Sequence, residues 1–147
     1  MARSYYEESL AYARESGDKR YIAWQVFNLG QVALHEGEYE RAAGLYIEDL
    51  VLFQEIRELR GIAYCLSGLA GVAGSQGLAQ RAAQLFGSAE PILKSTGMVW
   101  EPADQIEYDQ NLAASKSKLD PEEWQSFWSK GEEMTIEEAI AFALEEG

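Results

Sequence analysis

The chain repeats itself at an offset of 40 residues. Residues 28–46, NLGQVALHEGEYERAAGLY, set above residues 68–86, GLAGVAGSQGLAQRAAQLF, share eight of 19 positions: Leu29/Leu69, Val32/Val72, Ala33/Ala73, Gly37/Gly77, Arg41/Arg81, Ala42/Ala82, Ala43/Ala83 and Leu45/Leu85. Tyr46/Phe86 adds an aromatic pair. Upstream the match continues through Arg20/Arg60, Ile22/Ile62, Ala23/Ala63 and Trp24/Tyr64. At the N-terminal end Ala2, Tyr6 and Leu10 fall on Ala42, Tyr46 and Leu50, and Gly17 lies 80 residues before Gly97. A period of this length signals stacked supersecondary units, each burying its apolar face against the next. The sequence starts inside a unit, as a piece of a longer array would.

Each unit reads as two helices. The first carries Ile22, Val26, Leu29 and Ala33, or Ile62, Leu66, Leu69 and Ala73. Spacings of four, three and four put these side chains on one helical face. Gly37 and Gly77 are expected to end those helices in a left-handed cap. The second helix carries Ala42, Tyr46 and Phe53, or Ala82, Phe86 and Leu93. Its paired alanines allow close helix approach beside a large ring.

Leu29-Gly30 and Leu69-Ala70, then Ala42 and Ala82, then Tyr46 and Phe86 four residues on, resemble the tetratricopeptide repeat over roughly residues 1–97. Val26 and Leu66 stand where that family favours tryptophan, and Gln54 and Lys94 where it favours proline. The period is also longer than the family's roughly 34 residues. The resemblance implies an all-α, right-handed superhelical array of antiparallel helix pairs: a partial unit at 1–17 and units at about 18–57 and 58–97. Capping helices over 98–147 would complete about seven helices.

The repeat signature stops after Gly97. Pro102 suits the first turn of a helix through IEYDQNLAASKSKL. Asp120-Pro-Glu-Glu123 is a helix start, and it places Trp124, Phe127 and Trp128 on one face, with Gly131 expected at the helix end. Thr135-Ile-Glu-Glu138 forms a capping box ahead of a stripe of Ile136, Ile140, Ala143 and Leu144. The order of these segments after small-residue repeats is similar to the C-terminal helical region of large bacterial LuxR-type and related signal-transduction ATPases. That likeness implies a sensor or assembly arm in a signalling or transcription regulator.

Charge narrows the partner classes. The net charge is −13, of which residues 101–147 hold 13 acids against 3 bases. Such a surface repels phosphate backbones and anionic membranes, so neither direct nucleic-acid binding nor membrane association is expected. No apolar run approaches the roughly 18 residues of a span. The tyrosine- and charge-bearing N-terminus is no signal peptide. The single cysteine, Cys65, rules out an internal disulfide and reads as a buried thiol. A reducing, cytoplasmic setting is the expectation.

Catalytic and cofactor signatures are missing. GLAGVAGSQG, residues 68–77, lacks the Lys-Ser or Lys-Thr of a phosphate loop and occupies a helix in the repeat register. His35-Glu36-Gly37-Glu38-Tyr39 lacks the second histidine of a zinc helix, and the chain has no other histidine. No cofactor, metal or catalytic set is expected, and the chain reads as no enzyme.

In tetratricopeptide arrays the first helix of each unit lines a concave groove. The resemblance places Trp24, Phe27, Asn28, Gln31, Leu34 and His35 there from one unit. The next unit gives Tyr64, Ser67, Gly71, Gly74 and Ser75. The expected occupant is a protein or peptide, a second copy of the chain, or alternatively a small-molecule effector. Trp24 and Phe27 fit either a groove or packing against a neighbouring helix. Helix-interior glycines cost roughly 1 kcal/mol each relative to alanine. Gly68, Gly71 and Gly74 therefore point to something that approaches closely.

Overall fold

The computed structural model describes residues 2–97 and 100–145. Residues 98 and 99, at the expected start of the cap, lie outside the described residues. Eight α-helices follow one another: α1 Ala2–Ser16, α2 Lys19–His35, α3 Tyr39–Glu55, α4 Leu59–Ser75, α5 Ala79–Thr96, α6 Pro102–Lys116, α7 Pro121–Glu132 and α8 Ile136–Leu144. No strand occurs among the described residues. The first five pack consecutively, each on its neighbour in sequence.

The true structural period is half the sequence period. Backbone φ turns positive at Gly17, Gly37, Arg57, Gly77 and Gly97, every 20 residues. Three of these turns repeat one hydrogen-bond pattern. Glu38 N–H donates to Ala33 O at 2.8 Å, Glu58 N–H to Phe53 O at 3.0 Å and Leu78 N–H to Ala73 O at 2.8 Å. These six-to-one bonds satisfy carbonyls that a helix end otherwise leaves unpaired. Arg57 adopts φ 57° without the freedom of glycine.

The repeated apolar positions meet in the interior. Tyr46 and Phe86 are buried equivalents, as are Ala42 and Ala82. Phe53 covers Gly61, and Tyr46 lies under Gly68, where an added methyl would fall 2.5 Å from the ring Cζ. Burying such a ring stabilises the fold by roughly 1.5–3 kcal/mol.

Helices α6, α7 and α8 follow the five array helices. Asp120 accepts from Glu122 N–H at 3.2 Å, and Thr135 and Glu138 exchange both capping-box hydrogen bonds. Helix α7 packs on α5, with Trp124 buried and Trp128 half-buried. Gly131 lies in the last turn of α7, one residue before its end at Glu132, and it is buried. A side chain there would strike the α5 backbone at Gln84 and Ser88, while one at Gly87 would strike Trp128 O. Two glycines thus let α5 and α7 touch backbone to backbone. Helices α6 and α8 fold back along the array. The Gly71–Gly74 face of α4 meets α6, whereas α8 contacts α3, α4 and α5.

Candidate ligand groove

The first helices of the two full units, α2 and α4, place the expected groove residues along one side of the array. Half of that side is already occupied by α6. A methyl group on Gly71 would sit 3.2 Å from Leu34 Cδ2 and 3.4 Å from Asn111 Nδ2, and one on Gly74 would overlap the Ser115 side chain. Gly71 and Gly74 of α4 therefore seat α6, whereas Gly68 makes room for Tyr46 of α3. Gln31 Nε2 donates to Asp104 Oδ1 at 3.4 Å, and Lys118 Nζ donates to Gly74 O, tying α6 and its C-terminal turn to both units.

Beneath α6 the aromatic residues form a continuous cluster. Phe27 stacks on Tyr64 with centroids 5.3 Å apart, Tyr64 on Trp100 at 4.6 Å, and Trp100 tilts against Tyr108 at 4.9 Å. These spacings match favourable ring pairs. The rings line a partly open cavity of about 30 Å³, together with Gln31, Leu34, Ser67 and residues of α6, including Asp104 and Glu107. That space suits a water or two rather than a metabolite.

The α2 half remains open. Asn28, Gln31, Val32 and His35 form one wall of a cleft of about 340 Å³, with Tyr6 from α1 and Glu107 from α6 opposite. Gln31 and Glu107 line both spaces, so the cleft and the cavity share a wall.

The expected groove residues thus separate into three groups. Asn28, Gln31 and His35 face the open cleft. Phe27, Leu34, Tyr64 and Ser67 line the inner cavity, with Gly71 and Gly74 beside them under α6. Trp24 and Ser75 line neither space. Trp24 packs edge-on to Phe53 at 4.8 Å and Tyr64 at 5.8 Å, with the Arg60 guanidinium 5.0 Å above its ring. Ser75 is exposed at the end of α4. Trp100, Asp104, Glu107, Tyr108 and Asn111 were outside the expected set. The signal that could have found them is the glycine series itself, which demanded a partner helix.

The electrostatics of the site are acidic. Burial pushes the Glu107 carboxyl above its usual range, with His35 pulling the other way. Burial likewise raises the Tyr64 and Tyr108 phenols. The buried Tyr108 hydroxyl has no hydrogen-bond partner among the described residues. No lysine or arginine lines the cleft or the cavity. Glu36, at the cleft rim, is paired with Arg3 at 3.3 Å.

A second polar site lies in the core between α3 and α4. Asp49 has no exposed surface, and the Cys65 thiol donates to its Oδ2 at 3.3 Å while Oδ1 stays unpartnered. Burial drives the Asp49 carboxyl up to about 8 and the Cys65 thiol well above its ordinary value. The thiol is held in its unreactive form.

Among the described residues no group of three or more His, Cys, Asp or Glu side chains is placed to hold a metal ion, and no helix is long and apolar enough to cross a membrane. Comparison with protein-family models, curated proteins and solved structures returned no match.

Proposed function

We propose that the chain is a non-catalytic interaction module built on tetratricopeptide-like helix pairs, and that it binds a peptide segment of a partner protein in the cleft between α1, α2 and α6. The observation that carries this reading is the open row Asn28–Gln31–His35 on the first helix of a unit, beside a cleft of about 340 Å³. The right-handed superhelix implied by the repeat resemblance would place this row on the concave side. Its likeness to bacterial regulators suggests a sensor or assembly arm in signalling or transcription control. A small-molecule effector is the weaker reading, because the aromatic cavity has only about 30 Å³.

Selection from a displayed library of random peptides tests the proposal. Enriched peptides should lose binding to Asn28→Trp and Gln31→Trp, which fill the cleft, and keep binding to Ser75→Trp, which lies outside it. Enriched peptides indifferent to all three substitutions, or no enrichment at all, would remove the reading.

A further inference from the structure

The cleft adjoins the aromatic cavity across a wall that includes Gln31 and Glu107, and its charge is one-sided. At the junction stands Glu107, and Asp104, three residues before it on α6, lines the cavity side. Neither is in an ion pair among the described residues; Asp104 accepts only from the neutral Gln31 amide. Nearby cations are engaged elsewhere. Arg3 pairs with Glu36 and Glu38, Arg60 lies over Trp24, and Lys118 binds Gly74 O. His35, on the cleft wall, is the nearest group able to carry positive charge. Behind the carboxylates lie the stacked rings of Tyr64, Trp100 and Tyr108, and the buried Tyr108 hydroxyl that lacks a partner. The half-buried Glu107 carboxylate, without an ion-pair partner among the described residues, carries a desolvation cost that a bound cation would relieve.

We propose that the cleft recognises an arginine side chain of a partner peptide, whose guanidinium reaches the junction and donates to Glu107 and Asp104 against the aromatic wall. Arginine fits better than lysine for three reasons. Its planar fork presents five donors to several acceptors. It sheds water more readily than an ammonium. It also stacks on aromatic faces. The open cleft of about 340 Å³ accommodates the peptide and the guanidinium beside Glu107. This inference rests on the peptide-binding reading and specifies the chemistry of its partner.

The test is an NMR titration of the full chain, isotope-labelled, with the capped pentapeptide Gly-Gly-Arg-Gly-Gly. Matched peptides carry citrulline or glutamate at the centre, and methylguanidinium serves as a fragment. The arginine peptide should shift amides within 28–36 and 104–111 and the Trp100 indole, and bind at least fivefold more tightly than the citrulline peptide. Glu107→Gln should reduce that affinity about fivefold. Asp104→Asn provides a second variant if the first fails to fold. Equal affinity for arginine and citrulline, tighter binding of glutamate, or shifts confined to other surfaces would overturn the proposal. Methylguanidinium binding as tightly as the peptide would also overturn it, in favour of a small cation. Library peptides that depend on the cleft but show no arginine preference would sink this inference and leave the peptide reading standing. Failure of both experiments would remove both.

Discussion

Replacing Asp49 by asparagine should make stability less dependent on pH, in a direction fixed by the fold. In the native state burial lifts the Asp49 carboxyl to about 8 from 3.8. In the unfolded chain it returns to the ordinary value. Between these limits the native state holds a proton that the unfolded state releases, so rising pH favours unfolding. Each pH unit in that window costs about 1.4 kcal/mol, and the span from pH 5.5 to 7 costs about 2 kcal/mol. The sign is opposite to that of an ion-paired aspartate. Asp49→Asn cannot ionise, and its amide oxygen can still accept from the Cys65 thiol. Its advantage over the wild type should therefore grow by about 2 kcal/mol across this interval. Urea denaturation followed by circular dichroism at several pH values supplies the numbers. The difference between the two proteins is the informative quantity, because a net charge of −13 gives both a background trend. A difference that stays constant from pH 5.5 to 7 would refute the argument, since it would mean that Asp49 titrates alike in both states.

Three further outcomes follow from local geometry. Arg57→Gly should stabilise the fold by about 0.5–1 kcal/mol, because the left-handed turn at this position no longer strains a side chain; an unchanged urea midpoint would contradict this. Gly74→Leu should cost about 1–3 kcal/mol by forcing Ser115 and α6 away, with the Trp100 indole resonance moving, whereas Gly71→Ala should cost under about 1 kcal/mol; equal effects would undo the seating argument. Arg81 Nη2 donates to the carbonyls of Phe142, Ala143 and Glu145 at 3.0, 3.2 and 2.8 Å. Arg81→Ala should cost about 2 kcal/mol and speed hydrogen exchange in residues 139–144; exchange as slow as in the wild type would count against this anchor.

The five array helices were legible because their apolar stripes and turn glycines recur at fixed intervals. The C-terminal helix starts were legible because Asp120 and Thr135 cap locally. What escaped was decided by tertiary contact. Helix α6 has Ser115 as its one fully buried residue, so its pattern gives no hint that it lies along α4. The glycines Gly71 and Gly74 announced a close approach, but not that α6 rather than a bound partner makes it. Gly131 marks the last turn of α7, but its close contact with the α5 backbone beside Gly87 was not legible. The third turn falls at the expected 57/58 unit boundary, but that Arg57 adopts the left-handed conformation there was not legible, because the other turns use glycine. Asp49 sits among Tyr46, Leu50 and Phe53 on the buried stripe, an acid in an apolar register, and that mismatch could have marked it.

The 20-residue rhythm of the turns also bears on how such a chain can change length. Excising residues 18–57 would join Gly17 directly to Glu58 and bring α1 against α4 in place of α3. Tyr6 and Leu10 would inherit the roles of Tyr46 and Leu50 almost unchanged. The third contact would not survive, because Ala13 would stand where Phe53 now fills the space over Gly61. The units are interchangeable in spacing but not in volume, so loss of a whole unit would need a compensating large residue at one position before the shortened array closed without a void.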